Sequence, residues 1–403
     1  MRSYPAVPFA LALLAAVAGC SGGGSGEDSS GPSEEERPAL HTQALLGERL
    51  FSDTNLSRNR TQACATCHDP EHAFVDARSN RVGGAVSLGD DGVSLGDRNA
   101  PTAAYARFSP TFAIKADGEA LGGQFFDGRA ATLAEQAAGP PLNPVEMGMP
   151  DKASVVARLR ENTDYVEAFT FLYGDDIFAD VDAAYGAMAE SIARFEEEDD
   201  RFAPFDSKYD RALRGDYEMT SQERLGQTLF FSKQFTNCNL CHQLQPFAMR
   251  PDEIFTNYLY ENIGVPVNTS VRAANGSPEG FVDHGLLNNP AISDQAQDGR
   301  YKVPTLRNVA VTGPYMHNGV FADLRTVVLF YDKFNNPERT LNPETGEPWG
   351  EPEVAETVEF EDLEHGPALT DERVDALVAF LKLLTDRRYE HLIPDATAAP
   401  DAP

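Results

Sequence analysis

The chain has 403 residues, long enough for two or three domains with cores of their own. With 63 acidic against 33 basic residues its net charge is −30, which argues against nucleic acid and against an electrostatic hold on anionic lipid. Solubility is the simplest reading of the charge, and a hydrophobic content of 41% is ordinary for a globular protein.

In chain order, residues 1–20 read as a targeting segment. Arg2 supplies a short positive region, and the apolar stretch Val7 to Ala18 is too short to span a bilayer in a mature protein. It ends in Val17-Ala18-Gly19-Cys20, which resembles a bacterial lipobox with Cys20 as the lipidated residue; an ordinary signal peptide with a chance Cys is the alternative. Residues 21–37 are rich in Gly, Ser and Glu and read as a flexible tether. No later stretch reads as a membrane helix, so a membrane would be met only through a lipid anchor.

The next segment repeats. Leu46-Gly47-Glu48-Arg49-Leu50-Phe51 precedes Cys64-Ala65-Thr66-Cys67-His68, and Leu225-Gly226-Gln227-Thr228-Leu229-Phe230 precedes Cys238-Asn239-Leu240-Cys241-His242. C-x-x-C-H is the attachment motif of c-type haem, with the thiols joined to the vinyl groups and the His as proximal ligand. A redox dithiol or half a zinc site is the bland reading of one motif. Two motifs that use four of the five cysteines favour two haems. The paired Leu and Phe make an apolar helix face expected to pack on the haem edge. Haem attachment of this type follows export, so motif and targeting segment agree on the periplasmic side of an envelope.

Asp151 is expected to cap a helix over 152–162 with Val155, Val156 and Leu159 on one face. A second helix is expected over 181–195, carrying Ala184, Met188 and Ile192. A third, over 371–384 after Thr370, carries Val374, Leu377, Val378, Leu381 and Leu384. The long Gly/Pro/Asn-rich loops 79–102 and 262–304 are expected to wrap cofactors. Strand signal is sparse. The expected class is mainly α: two tandem cytochrome-c-like haem domains with long wrapping loops, 38–215 and 216–392, and a tail over 393–403.

The order of motifs carries a resemblance. After the first C-x-x-C-H come Asn99-Ala100-Pro101-Thr102, Gln124-Phe125-Phe126-Asp127-Gly128-Arg129, then Gln136, Pro140 and Glu146. After the second come Lys302 to Val309 and Gly313-Pro314-Tyr315-Met316-His317-Asn318-Gly319. From about residue 40 to 390 the chain resembles the bacterial dihaem cytochrome c peroxidase/MauG superfamily. Ser87 to Asn99 resembles the branch containing MbnH, the dihaem enzyme of methanobactin operons.

The resemblance implies that His68 is the proximal ligand of a peroxide-reactive haem whose open side is lined by Gln136 and Glu146. A carboxylate beside the iron can shuttle a proton between peroxide oxygens while an amide orients the peroxide. Read alone, Glu146 is a helix-start or solvated acid and Gln136 a surface helix residue. His72 lies too close to His68 in sequence to cross the ring. His242 would hold the second haem, with Tyr331 opposite where the classical peroxidases have Met; the competing readings are Met316 as ligand and Tyr331 as a buried aromatic. A phenolate is a hard anion that favours oxidised iron, whereas a thioether raises the potential. Phe126 stands where the family usually has a Trp between the haems. The only Trp of the chain, Trp349, reads as a loop packing residue. The resemblance also implies a calcium ion between the haems, held by the Asn99 side chain and the carbonyls of Thr312 and Pro314.

Three functions follow as expectations. The first is a hydrogen-peroxide-dependent oxidation of a residue, such as a Trp, on a partner protein such as an exported copper-binding protein, through a high-valent haem pair. The second is a cytochrome c peroxidase fed by a small electron-donor cytochrome. The third is a non-catalytic dihaem electron-transfer protein.

Overall fold

The computed structural model describes residues 40–394. The targeting segment with Cys20, the tether over 21–37 and the tail from residue 395 lie outside the described residues.

Helices dominate. In chain order they are α1 (Gln43–Phe51), α2 (Cys64–Cys67), α3 (Leu133–Ala137), α4 (Lys152–Leu159), α5 (Thr163–Tyr173), α6 (Val181–Glu198), α7 (Lys208–Arg214), α8 (Ser221–Phe230), α9 (Thr269–Asn275), α10 (Leu324–Asp332), α11 (Phe360–Leu363) and α12 (Asp371–Lys382). Among the described residues strands are limited to two antiparallel pairs, each strand two residues long: β1 (Ala113–Ile114) with β2 (Ala120–Leu121), and β3 (Tyr260–Glu261) with β4 (Tyr301–Lys302).

The helix ends follow from their caps. The Asp151 carboxylate accepts from the Ser154 amide at 2.7 Å and starts α4. That helix stops at Leu159, short of the expected Asn162, because its apolar face ends there and the Asn162 side chain starts α5. Asp180 caps α6, which runs on to Glu198, past the expected Phe195, because Phe195 and Glu196 are still buried. Thr370 caps α12; Leu384 lies past its end but remains buried. The sequence pattern also missed the box at α8, where the Thr220 hydroxyl accepts from the Glu223 amide and Glu223 accepts from the Thr220 amide.

Two large hydrophobic cores result, beside two small clusters among the described residues. One is built mainly from α1, α4, α5 and α6, and gathers Leu46, Leu50, Phe51, Val155, Leu159, Met188 and Ile192. The other is built from α8, α10 and α12, and gathers Leu229, Phe230, Leu329, Val374, Leu377 and Phe380. In the first, α1 lies across α6; in the second, α8 lies across α12. The repeated Leu-Gly-x-x-Leu-Phe face is therefore spent on a partner helix. Of the six apolar residues in the two copies, only Phe230 also borders a cavity described below.

Between the cores lies a seam of buried polar contacts. Arg307 is wholly buried, and its guanidinium holds Asp210 at 2.6 and 3.0 Å and donates to the Glu253 carbonyl oxygen at 2.8 Å. The rings of Tyr105, Phe205, Tyr209 and Phe255 surround it at 4.9–5.9 Å. Beside it the Asp386 carboxylate accepts from the Tyr105 hydroxyl at 2.7 Å and from the Asn308 amide at 2.8 Å.

Candidate functional site

Each C-x-x-C-H motif opens on its own cavity. Cys64, Cys67 and His68 line one of about 370 Å³, and Cys238, Cys241 and His242 line one of about 380 Å³. Asn99 to Thr102, Ala106 and Gln124 to Phe126 border both, so they form the wall between them.

The two motifs present the same chemistry. His68 Nδ1 lies 3.2 Å from the Phe74 carbonyl oxygen, and His242 Nδ1 lies 3.1 Å from that of Phe255. Each carbonyl fixes the ring as the Nδ1–H tautomer and leaves Nε2 with its lone pair. Burial lowers the pKa of both imidazoles, that of His242 to about 4, so both are neutral. All four cysteines are free, and burial holds their thiols protonated, with Cys64 and Cys67 pushed up to about 12. Two free thiols and one neutral imidazole at each cavity fit a covalently attached haem. They do not suit a zinc site, and no group of three or more His, Cys, Asp or Glu among the described residues is arranged to hold a metal ion.

Gln136, on α3, and Glu146, in the loop after it, line the first cavity with His68, as does Arg129. Burial raises the Glu146 pKa, while Arg129 and Asn143 pull it partly back. The carboxyl therefore keeps its proton to higher pH than a solvated one. Its backbone is fixed from outside: the Asp90 amide donates to the Glu146 carbonyl oxygen at 2.7 Å. Asp90 in turn accepts from the Ser57 and Thr61 hydroxyls at 2.7 and 2.6 Å and from the Asn59 amide at 2.6 Å. A Cβ on Gly89 would stand 2.8 Å from the Val145 carbonyl oxygen, so the Ser87-to-Gly92 loop packs directly against the segment that carries Glu146. That supporting role was not legible in the sequence.

Tyr331, near the end of α10, lines the second cavity with His242. Burial, then Cys241 and Cys238, keep its phenol well above the usual range, so metal ligation would require a proton to leave. Met316 lines the same cavity, held in the left-handed region at φ 71°. Asn99, Thr312 and Pro314 all border it too, and the Asn99 amide donates to the Ala85 carbonyl oxygen at 3.0 Å, which leaves its Oδ1 available. His72 lines neither cavity and pairs instead with Asp69 at 2.7 Å. Trp349 packs edge-on against Phe321 and Phe330 and donates to the Arg339 carbonyl oxygen at 2.7 Å.

The long loops close the first cavity. Residues 96–102 line it from one side, and Phe281, Asp283 and Asn288 reach it from the other. Arg98 ties these parts together, holding Asp127 at 2.7 Å and Asp283 through two bonds of 2.7 Å. Arg129 lies 3.7 Å over the ring of Phe125, a residue with φ 64°.

The chain is similar to known dihaem proteins. Residues 41–218 match the family model described as di-haem cytochrome c peroxidase. The methylamine utilization protein MauG of Paracoccus denitrificans is 53% identical over 373 residues, covering 92% of this chain and 95% of that protein. The crystal structure of the dihaem peroxidase BthA from Burkholderia thailandensis superposes with a TM-score of 0.77 at 33% identity, covering 88% of both chains. A MauG-like protein associated with microbial copper homeostasis superposes with a TM-score of 0.62 at 28% identity, covering 89% of this chain and 94% of that one.

Proposed function

The chain belongs to the dihaem cytochrome c peroxidase/MauG family and is a peroxidase-type oxidoreductase, and from that premise we propose that it uses hydrogen peroxide to oxidise a residue of a partner protein. Residues 38–215 and 216–392 would be its two haem domains. Cys64, Cys67 and His68 would hold the first haem, and Cys238, Cys241 and His242 the second. When bound, the haems supply iron that reacts with peroxide and stores oxidising equivalents.

The chain's own groups do the rest. Gln136 orients the peroxide by hydrogen bonding. The Glu146 carboxylate accepts a proton from one peroxide oxygen and returns it to the other, a transfer worth about 10²–10⁴ in rate. Tyr331, which lines the cavity of His242, would once deprotonated supply the second haem with a hard anionic donor. The observation that supports this reading most is the pairing of Gln136 and Glu146 with His68 in one cavity and of Tyr331 with His242 in the other. A calcium ion held by Asn99 Oδ1 and the Thr312 and Pro314 carbonyls would sit at the wall between the cavities.

Identity of 53% to MauG against 28% to the copper-homeostasis protein favours a MauG-like partner reaction over an MbnH-like one on a copper-binding protein. Met316, which borders the same cavity as Tyr331, favours the second reading, a cytochrome c peroxidase with a thioether ligand and a small cytochrome as electron donor. We place the protein on the periplasmic side of the envelope, tethered through lipid on Cys20. Among the described residues no helix is long and apolar enough to cross a membrane.

Stopped-flow absorbance with stoichiometric peroxide tests the reading. The diferric protein is expected to react at once, without prior reduction. Reaction only after one haem is reduced would establish the cytochrome c peroxidase reading, and no reaction in either state would leave electron transfer alone.

A further inference from the structure

Strand β4 carries Lys302 into the wall of the second cavity. Its Nζ donates one hydrogen bond, to the Gly123 carbonyl oxygen, and has no carboxylate within ion-pair distance. Burial pushes this ammonium down to about 8. The nearby acids are already engaged: Asp127 by Arg98 and Arg129, and Asp283 by Arg98. Beside Lys302, Tyr301 stacks on His317 with ring centroids 3.6 Å apart and planes 11° from parallel. His317 is 4% exposed, borders the same cavity, and its Nε2 has no hydrogen-bond partner. The Lys302 amide also donates to the Phe126 carbonyl oxygen at 2.8 Å, which fixes this corner to the wall shared by the two cavities.

Resting on the dihaem reading, we propose that Lys302 and His317 bind the propionates of the haem attached at Cys238 and Cys241. A buried ammonium is costly unless an anion compensates it, and a buried imidazole N–H is costly unless an acceptor meets it. A haem carries two propionate carboxylates, one available to each group. A c-type haem held through its vinyl edge carries its propionates on the opposite edge. Neither Cys238 nor Cys241 is among the residues common to both cavities, whereas the Lys302 amide is bonded to Phe126, which is.

The test uses the full holoprotein and three variants, Lys302→Gln, Lys302→Arg and His317→Phe. Lys302→Gln keeps a donor for Gly123 but removes the charge. It is expected to shift the propionate bending bands of the second haem in resonance Raman and to lower that haem's reduction potential, leaving the first haem's bands in place. His317→Phe keeps the stack on Tyr301 and is expected to shift the same bands less. Lys302→Arg is expected to stay close to wild type. Unchanged propionate bands in Lys302→Gln would overturn the proposal and leave Lys302 as a prop for Gly123. A band shift that appears only with added acetate would also overturn it, in favour of a free anion. Haem content by pyridine haemochrome separates the two levels: a single haem per wild-type chain would overturn the dihaem reading itself.

Discussion

Gly47 lies against the backbone of Ser191 so closely that a Cβ on it would stand 1.9 Å from the Ser191 carbonyl oxygen. The contact recurs in the second core, where a Cβ on Gly226 would stand 1.9 Å from the Ala376 carbonyl oxygen. The glycine of each Leu-Gly-x-x-Leu-Phe copy is thus where one helix touches the next. Gly226→Ala must push α8 off α12, and overpacking of this kind costs about 1–3 kcal/mol. Chemical denaturation of the holoprotein checks this, and Gly186→Ala, on α6 where a Cβ meets nothing within 4 Å, is the control expected to be neutral or stabilising.

Arg307→Met should destabilise the fold by about 3–5 kcal/mol, because it leaves the Asp210 carboxylate buried without its partner. Adding Asp210→Asn should recover part of the loss. Equal destabilisation in single and double variants would mean that ring packing around Arg307, and not the ion pair, holds the seam.

Glu196 faces the first cavity from α6, and burial first, then Glu197, push its pKa up to about 8 from the ordinary 4.5. Between those limits the folded chain keeps a proton that the unfolded chain releases. Its stabilising contribution is complete below about 4.5 and is lost as pH rises toward about 8, at about 1.4 kcal/mol per pH unit. Denaturation midpoints across this window should fall with pH in the wild type and much less in Glu196→Gln. Parallel slopes for the two proteins would place the Glu196 proton elsewhere.

With Tyr331 as the ligand proposed above, Tyr331→Met should raise the potential of the second haem and give it the spectrum of a thioether-ligated iron, since it would exchange a hard anion for a soft neutral donor. A redox titration with absorbance readout decides it. Both haems unaltered would remove Tyr331 from the ligand set.

Glu146→Gln should slow peroxide cleavage about 10²–10⁴-fold and leave the resting haem spectrum nearly unchanged. Single-turnover kinetics measure it. A loss below tenfold would return Glu146 to a structural role. Phe126 has no accessible one-electron oxidation, so Phe126→Trp should speed exchange between the haems if side-chain hopping limits it.

What the sequence by itself determined is the chemistry that rests on covalent proximity. Cys64 to His68 and Cys238 to His242 carry their ligand spacing within five residues, and the order of the flanking motifs marks the family. Helix positions were legible for the same reason, since a period of three to four residues and a capping Asp151 or Thr370 are local signals. Only the tertiary structure decided where those faces went. The face of Leu46 and Leu50 was expected on a haem edge and lies on α6, because a helix face does not name what it is buried against. The buried Arg307, the Arg98 clamp on Asp127 and Asp283, and the support of Glu146 by Asp90 join residues 29 to 185 positions apart. Each side chain reads as an ordinary surface charge until the fold removes water from around it. The lack of a carboxylate beside Lys302 and of a partner for His317 Nε2 is likewise invisible in sequence, since it exists only once every other partner has been placed.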